Sequence, residues 1–118
     1  MNNHQLGNWG EKQAVLYLEE KGYEIIEKNF RLQLGEIDII ATRQQYLVFL
    51  EVKTRRSTQY GPPQSAVNYH KRNRIRKIAR IFLSRNDVYA NYQIRFDVLA
   101  VKIKQGASYR INHIVNAF

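Results

Sequence analysis

Four charged residues interrupt two apolar runs in the stretch GEIDIIATRQQYLVFLEVKTR, residues 35–55: Glu36, Asp38, Glu51 and Lys53. Carboxylates are costly to bury, and strands this apolar are normally covered. If the two runs form a hairpin turning between Gln44 and Gln45, opposed positions sum to 89. Asp38 then faces Glu51 and Glu36 faces Lys53. Side chains alternate along a strand, so all four are expected on one face, with opposed Cβ atoms about 4.5–5.5 Å apart.

Two facing carboxylates repel unless a cation sits between them. A hard divalent ion, Mg²⁺ or Mn²⁺, suits such a pair, because it takes oxygen ligands from one or two carboxylates and leaves its other positions to water or phosphate. Phosphodiester hydrolysis requires that arrangement, and a neighbouring ammonium positions water or offsets charge on the phosphate. Asp38 and Glu51 are therefore the candidate metal ligands and Lys53 the candidate catalytic cation. The competing reading is a set of rim ion pairs, Glu36 with Lys53 and Glu51 with an arginine, worth about 0–1 kcal/mol when exposed. Glu-x-Lys is too short a pattern to separate the two; the Asp placed 13 residues upstream across a hairpin favours the site.

Glu11 has two readings of its own. The pattern of Ala14, Val15 and Leu18 predicts a helix from about Gln5 to Lys21, stopped by Gly22, with Glu11 within the apolar stripe. Glu11 is then either the acid of a capping box on Asn8 or a further acid near the metal.

Charge is divided unevenly along the chain. Between Val52 and Asn86 lie ten Lys or Arg and no acidic residue, whereas eight of the ten acids lie at or before Glu51. With a net charge of +9 this points to a polyanionic partner, most simply nucleic acid. Arg55, Arg56, Lys71, Arg72, Arg76, Lys77 and Arg80 are the candidate contacts. Lys71 and Arg72 are expected on the inner side of a helix near the phosphate, and Arg76, Lys77 and Arg80 on its solvent face.

The elements that must position these residues follow in order. YEIIEKNFRL predicts an amphipathic edge strand; the two apolar runs predict covered strands; STQYGPPQ is a loop. Ile75, Ile78, Ala79, Phe82 and Leu83 give a helix over about Tyr69–Arg85. YQIRFDVLAVKI and YRINHIV, around a turn at Gln105 and Gly106, are the last strands. The order α-β-β-β-α-β-β in 118 residues is one α/β domain, 1–118, with helices on both sides of a sheet. Cysteine is absent and the three histidines lack metal-binding spacing, which excludes disulfides, thiolate chemistry and a zinc site of the usual kind. No apolar window suggests a membrane span, the first residues lack the layout of a signal peptide, and a cytoplasmic location is expected.

Taken together, GNWGEKQAVLYLEEKGYEIIEKNFR, GEIDIIA, VFLEVKTR, the trio Ala66, Val67 and Lys71, RFDVLAV and INHIVNAF resemble the YraN-like family of uncharacterised bacterial proteins over nearly the whole chain. That family is similar to archaeal Holliday-junction resolvases and to the wider restriction-endonuclease-like nucleases, whose signature is an Asp followed by Glu-x-Lys or Asp-x-Lys. The resemblance implies a restriction-endonuclease-like three-layer sandwich with a mixed central sheet. It implies Mg²⁺ or Mn²⁺ held by Asp38 and Glu51, a catalytic Lys53, and a role for Glu11, which matches the helix acid of the resolvases. The proline common before the signature Asp is Ile37 here. A nuclease on branched or junction DNA is the expected activity, with a homodimer expected if both strands are cut symmetrically. A binding module for DNA or RNA with a vestigial acidic site is the alternative.

Overall fold

The computed structural model describes residues 1–56, 67–104 and 108–118. The expected STQYGPPQ loop with Gln64, Ala66, and the turn at Gln105 and Gly106 lie outside them. Among the described residues, two α-helices, α1 (Asn3–Glu20) and α2 (Tyr69–Ser84), accompany five strands: β1 (Glu24–Leu32), β2 (Gly35–Arg43), β3 (Tyr46–Arg56), β4 (Gln93–Ile103) and β5 (Tyr109–Ile114). The strands form one sheet in the order β1-β2-β3-β4-β5. All neighbours are antiparallel except β3 and β4, and that parallel pair is joined by a crossover that includes α2. The order expected from the sequence is the order found.

The helices cover opposite faces, as the doubly apolar strands require. Ala14 and Leu18 of α1 pack with Ile39, Ala41, Val48, Leu50 and Leu99. Ile75, Ile78, Ala79 and Phe82 of α2 pack with Ile37, Ile40, Leu47, Phe49 and Val98. Strand β1 lies at the sheet edge, with no fully buried residue.

Helix α1 begins earlier than the apolar pattern suggests. Asn2 is its N-cap, and a reciprocal pair of hydrogen bonds with Gln5 closes a capping box. Asn8 and Glu11 therefore sit inside the helix, and the capping-box reading of Glu11 is corrected. Gly22, at φ 90°, provides the left-handed residue that ends it. Asn68 caps α2, its side-chain oxygen accepting from the Lys71 amide at 3.0 Å.

The expected hairpin register holds from Ile39 opposite Leu50 to Arg43 opposite Tyr46, every pair summing to 89. It then stops one pair short of the charged residues. At the same place β2 changes phase: Ile37 packs under α2 but Ile39, two residues on, under α1, although residues two apart in a regular strand share a face. On β1 the residue between the partners of Ile37 and Ile39 is Asn29, which has φ 52°. Asp38 occupies this irregularity, so the expectation of four charges on one flat face is corrected.

Gly10 sets how closely α1 approaches β3. A Cβ there would lie 1.8 Å from Thr54 Oγ1 and 2.8 Å from both Thr54 Cβ and Cγ2, so no rotamer of Thr54 makes room. On the same face, buried Asp97 of β4 is held from three sides. Arg95 Nη2 and Nε donate to it, the former at 2.9 Å; the Asn116 amide donates at 3.0 Å; and His113 Nε2 lies 2.7 Å away. Arg95 also donates to the Tyr23 hydroxyl, and His113 Nδ1 lies 3.2 Å from the Tyr17 hydroxyl. Burial works against the Asp97 charge, but the bonds from His113, Arg95 and Asn116 outweigh it and hold the carboxyl below the usual range. An ionised carboxylate only accepts, which places a proton on His113 Nε2. The network ties α1, β4, β5 and the C-terminal residues into one unit.

Two outcomes follow for stability. Gly10→Ala, which ordinarily strengthens a helix by about 0.5–1 kcal/mol, should here destabilise by about 1–3 kcal/mol through the Thr54 clash, with part of the loss recovered in Thr54→Ala; urea denaturation of the cycle measures both. Because the Asp97 pKa is depressed on folding, its contribution is present above about pH 4 and lost as pH falls through the folded value. Asp97→Asn should cost about 3 kcal/mol or more near neutrality and flatten that acid dependence in melts followed by circular dichroism.

Candidate functional site

Strands β2 and β3 part beyond Ile39 and Leu50, and the two carboxylates expected from the sequence stand in the opening. Both line a cleft on the α1 side with Glu11, Gly7, Thr54 and Arg56. Both also line a second cleft of about 190 Å³ on the α2 side, with Glu36, Lys71 and Arg74. Residues of a sheet reach both faces only where the ladder is open. Asp38 takes the place of the missing ladder bond: its Oδ2 accepts from the Val52 amide at 2.8 Å. Alternation from Phe49 puts Glu51 and Lys53 on the α2 side.

The electrostatics differ from one acid to the next. Burial, followed by the charge of Glu51, raises the Asp38 carboxyl to about 7, with Glu11 and Glu36 adding to the rise and the Val52 amide opposing it. Burial raises Glu11 as well, opposed by a hydrogen bond from Asn29 Nδ2 at 3.4 Å. Glu51, only 8% exposed in its side chain, is met by two ammonium groups: Lys71 Nζ at 2.6 Å and Lys53 Nζ at 3.6 Å from Oε1. Burial and the adjacent Lys71 draw Lys53 below the ordinary lysine range. Burial opposes the charge on Lys71 too, but its contact with Glu51 raises it overall.

Asp38, Glu51, Lys53 and Lys71 are thus brought together, with Glu11 on the α1 rim of the same opening. Glu36 is not paired with Lys53; it takes Arg31 Nε across the β1–β2 ladder at 2.7 Å, because the β2–β3 pairing has ended before reaching it. Among the described residues no three His, Asp or Glu side chains are grouped closely enough to hold an ion. The two carboxylates offer hard oxygen donors, and the like charge of Glu51, second to burial in raising Asp38, is one a divalent cation would offset.

The basic residues divide into four sets. Lys71 lies on the inner side of α2, as expected, and its ammonium contacts Glu51. Arg72 donates to the Val67 carbonyl at 2.8 Å, and the guanidinium groups of Arg72 and Arg76 lie 5.8 and 5.6 Å from the Phe118 ring. Arg76 therefore covers the C-terminal aromatic instead of standing wholly on the solvent face, and Arg72 serves the helix start. Lys77 and Arg80 are exposed, as expected, and Arg74 joins them as an exposed cation beside the cleft. Arg56 donates to Asn3 Oδ1 at 3.0 Å and to the Met1 carbonyl at 2.8 Å, fastening the start of α1 to β3; Arg55 is half-buried on the same strand. Trp9 packs edge-on against Tyr109 at 5.2 Å, a packing role.

Three participants escape the sequence reading. The Val52 amide needs the register break to be known, and Asn29 needs the β1 distortion. The direct reach of Lys71 into the acids needs the placement of α2 over β2 and β3. One trace of the break was present: Ile37, Ile39, Ile40 and Ala41 are apolar in a pattern that period two cannot place on one face.

The model of "Uncharacterised protein family UPF0102" matches residues 10–101, a span that contains Glu11, Asp38, Glu51, Lys53 and Lys71. A UPF0102 protein of Clostridioides difficile is 46% identical over 118 residues, covering all of both chains. One from Caldanaerobacter subterraneus subsp. tengcongensis is 43% identical over 120 residues, covering 100% of this chain and 98% of its own. A third, from Pelobacter propionicus, is 47% identical over 119 residues, covering 99% of this chain and 84% of the relative. With identity at this level along the full length, the chain belongs to the UPF0102 family.

Proposed function

We propose that this protein is a Mg²⁺- or Mn²⁺-dependent endonuclease acting on structured DNA, branched or junction-containing, built on a restriction-endonuclease-like variant of the α/β sandwich. The observation that carries the reading is the opening between β2 and β3, where Asp38 and Glu51 lie beside the Lys53 ammonium. Two carboxylates held together in a low-dielectric gap cost stability, and such a cost is typical of functional sites.

When bound, the divalent ion would lower the pKa of a water and polarise the phosphate. Asp38 and Glu51 are the residues to hold it, with Glu11 at the margin. Lys53, drawn below the ordinary lysine range, presents an ammonium on the same side as Glu51 to a phosphate oxygen or to the attacking water. The apolar parts of β2 and β3 keep the donors rigid. Arg74, Lys77 and Arg80 along α2 offer a basic track for the flanking phosphates. The α1 side is more acidic, so the nucleic acid approaches from α2.

A second reading, binding of DNA or RNA without cleavage, is favoured by one observation: Lys71 already sits on Glu51 at 2.6 Å, which satisfies that carboxylate within the chain. The two readings part on divalent-ion dependence.

Cleavage of a panel of junction, flap, single-stranded and duplex DNAs should require Mg²⁺ or Mn²⁺ and fall at least about a hundredfold in Asp38→Asn and in Lys53→Ala. Undiminished cleavage by either variant would remove the site, and no cleavage by the native chain of any substrate would leave the binding module. Asp38→Asn should also be the more stable protein at pH 8. A carboxyl raised on folding loses stability as pH climbs from about 4 to about 7, and asparagine lacks that loss, a gain on the order of 1 kcal/mol or more in thermal melts. The double substitution Lys77→Ala with Arg80→Ala should weaken DNA binding and reduce the slope of log affinity against log salt by about 2, measured by fluorescence anisotropy; an unchanged slope would place the DNA elsewhere.

A further inference from the structure

We propose that Lys71 is a built-in counter-cation that holds Glu51 until a divalent ion displaces it, so that ion loading releases an ammonium into the α2-side cleft. The inference rests on the reading of Asp38 and Glu51 as ion ligands and adds a control step to it. Its basis is geometric. Lys71 Nζ lies 2.6 Å from Glu51 Oε1, while Lys53, carried by the same strand as Glu51, stays at 3.6 Å from that atom. Lys71 is thus the closer cation even though it comes from a different layer of the fold.

Glu51 needs a cation there. Its side chain is 8% exposed, Asp38 lines the same opening, and a buried carboxylate left without a counter-charge is strongly destabilising. A Mg²⁺ ion takes its oxygen ligands at about 2.0–2.1 Å, and an ammonium at hydrogen-bond distance on the same oxygen would be repelled by it. The two cations are therefore alternatives for Oε1.

Lys71 is suited to leave. It belongs to the first turn of α2, where its backbone is fixed by the Asn68 cap, yet its side chain is 27% exposed and opens on the cleft shared with Arg74. Rotation of the side chain alone carries the ammonium from the carboxylate to solvent or to an incoming phosphate. The exchange keeps Glu51 compensated throughout and adds a positive charge to the nucleic-acid face only after the ion is in place. By linkage, ion and polyanion then favour each other's binding.

The test is Mn²⁺ binding to the full chain without nucleic acid, by isothermal titration calorimetry. Lys71→Met should bind Mn²⁺ about tenfold more tightly or better than the native chain, since a charge-assisted hydrogen bond no longer competes. Lys71→Arg, which keeps the charge, should remain near the native affinity. Arg74→Met removes the same charge from the same cleft without touching Glu51 and should change the affinity by no more than about twofold. In a Mg²⁺ titration the Lys71 side-chain ammonium resonance should move with the midpoint that calorimetry gives for Mg²⁺. Equal Mn²⁺ affinity in the native chain and Lys71→Met, or an equal gain in Arg74→Met, would overturn the counter-cation and leave the ion site standing. No binding by either the native chain or Lys71→Met would overturn the ion site itself. If circular dichroism shows Lys71→Met unfolded, Lys71→Gln makes the same comparison with a polar neutral side chain.

Discussion

Asp38 and Glu51 meet in a gap of the sheet where neither can be hydrated freely, and the surrounding arrangement accommodates their mutual repulsion. Desolvation and like charge together push Asp38 to about 7. Glu51 needs counter-charge in that gap, supplied by Lys71 reaching down from α2 and Lys53 along β3. That requirement sets where α2 must begin, and the Asn68 cap meets it by starting the helix so that Lys71 falls in its first turn. It also requires the β2–β3 ladder to end early, since a continued ladder would use the Val52 amide in the sheet and deny it to Asp38.

The other helix answers a different constraint. Helix α1 lies so close to β3 that Gly10 touches Thr54, and this close seat puts Glu11, the next residue, at the edge of the opening. Arg56 fastens the beginning of the same helix to the end of the same strand. The site is therefore walled by a helix on each side, each fixed to β3 by its own device. The α1 wall carries the acid Glu11, and the α2 wall carries the cations. That asymmetry in space matches the asymmetry in the chain, where acids precede Glu51 and bases follow it.

Much of the scaffold was legible because its signals are local. Apolar spacing marked α2 within a residue, Gly22 marked the end of α1, and two short apolar runs with a polar pair between them fixed the hairpin register to the pair. What was not legible depends on contacts between distant elements. The start of α1 was missed because Asn2 and Gln5 cap it without an apolar neighbour to announce them. The phase slip at Asp38 was missed because alternation is assumed to continue until something breaks it, and the positive-φ residue beside it, Asn29, lies on another strand. Acidic and basic residues of the opening were all visible by type. Their pairing was not, since Lys71 reaches Glu51 only through the packing of Ile75 and Ile78 beneath α2.

The fold contains a second buried carboxylate that provides an internal comparison. Asp97 is fully enclosed, yet it stays below the usual carboxyl range because Arg95, His113 and the Asn116 amide all donate to it. Burial alone therefore does not leave an acid strained in this protein; the chain is able to build a complete shell of donors where a stable, ionised carboxylate is wanted. At Asp38 it supplies one amide and places three further acids, Glu51, Glu11 and Glu36, nearby. The difference lies in partner chemistry. A position kept short of donors, in a chain that satisfies Asp97 completely, supports the proposed reading of Asp38 as an ion ligand.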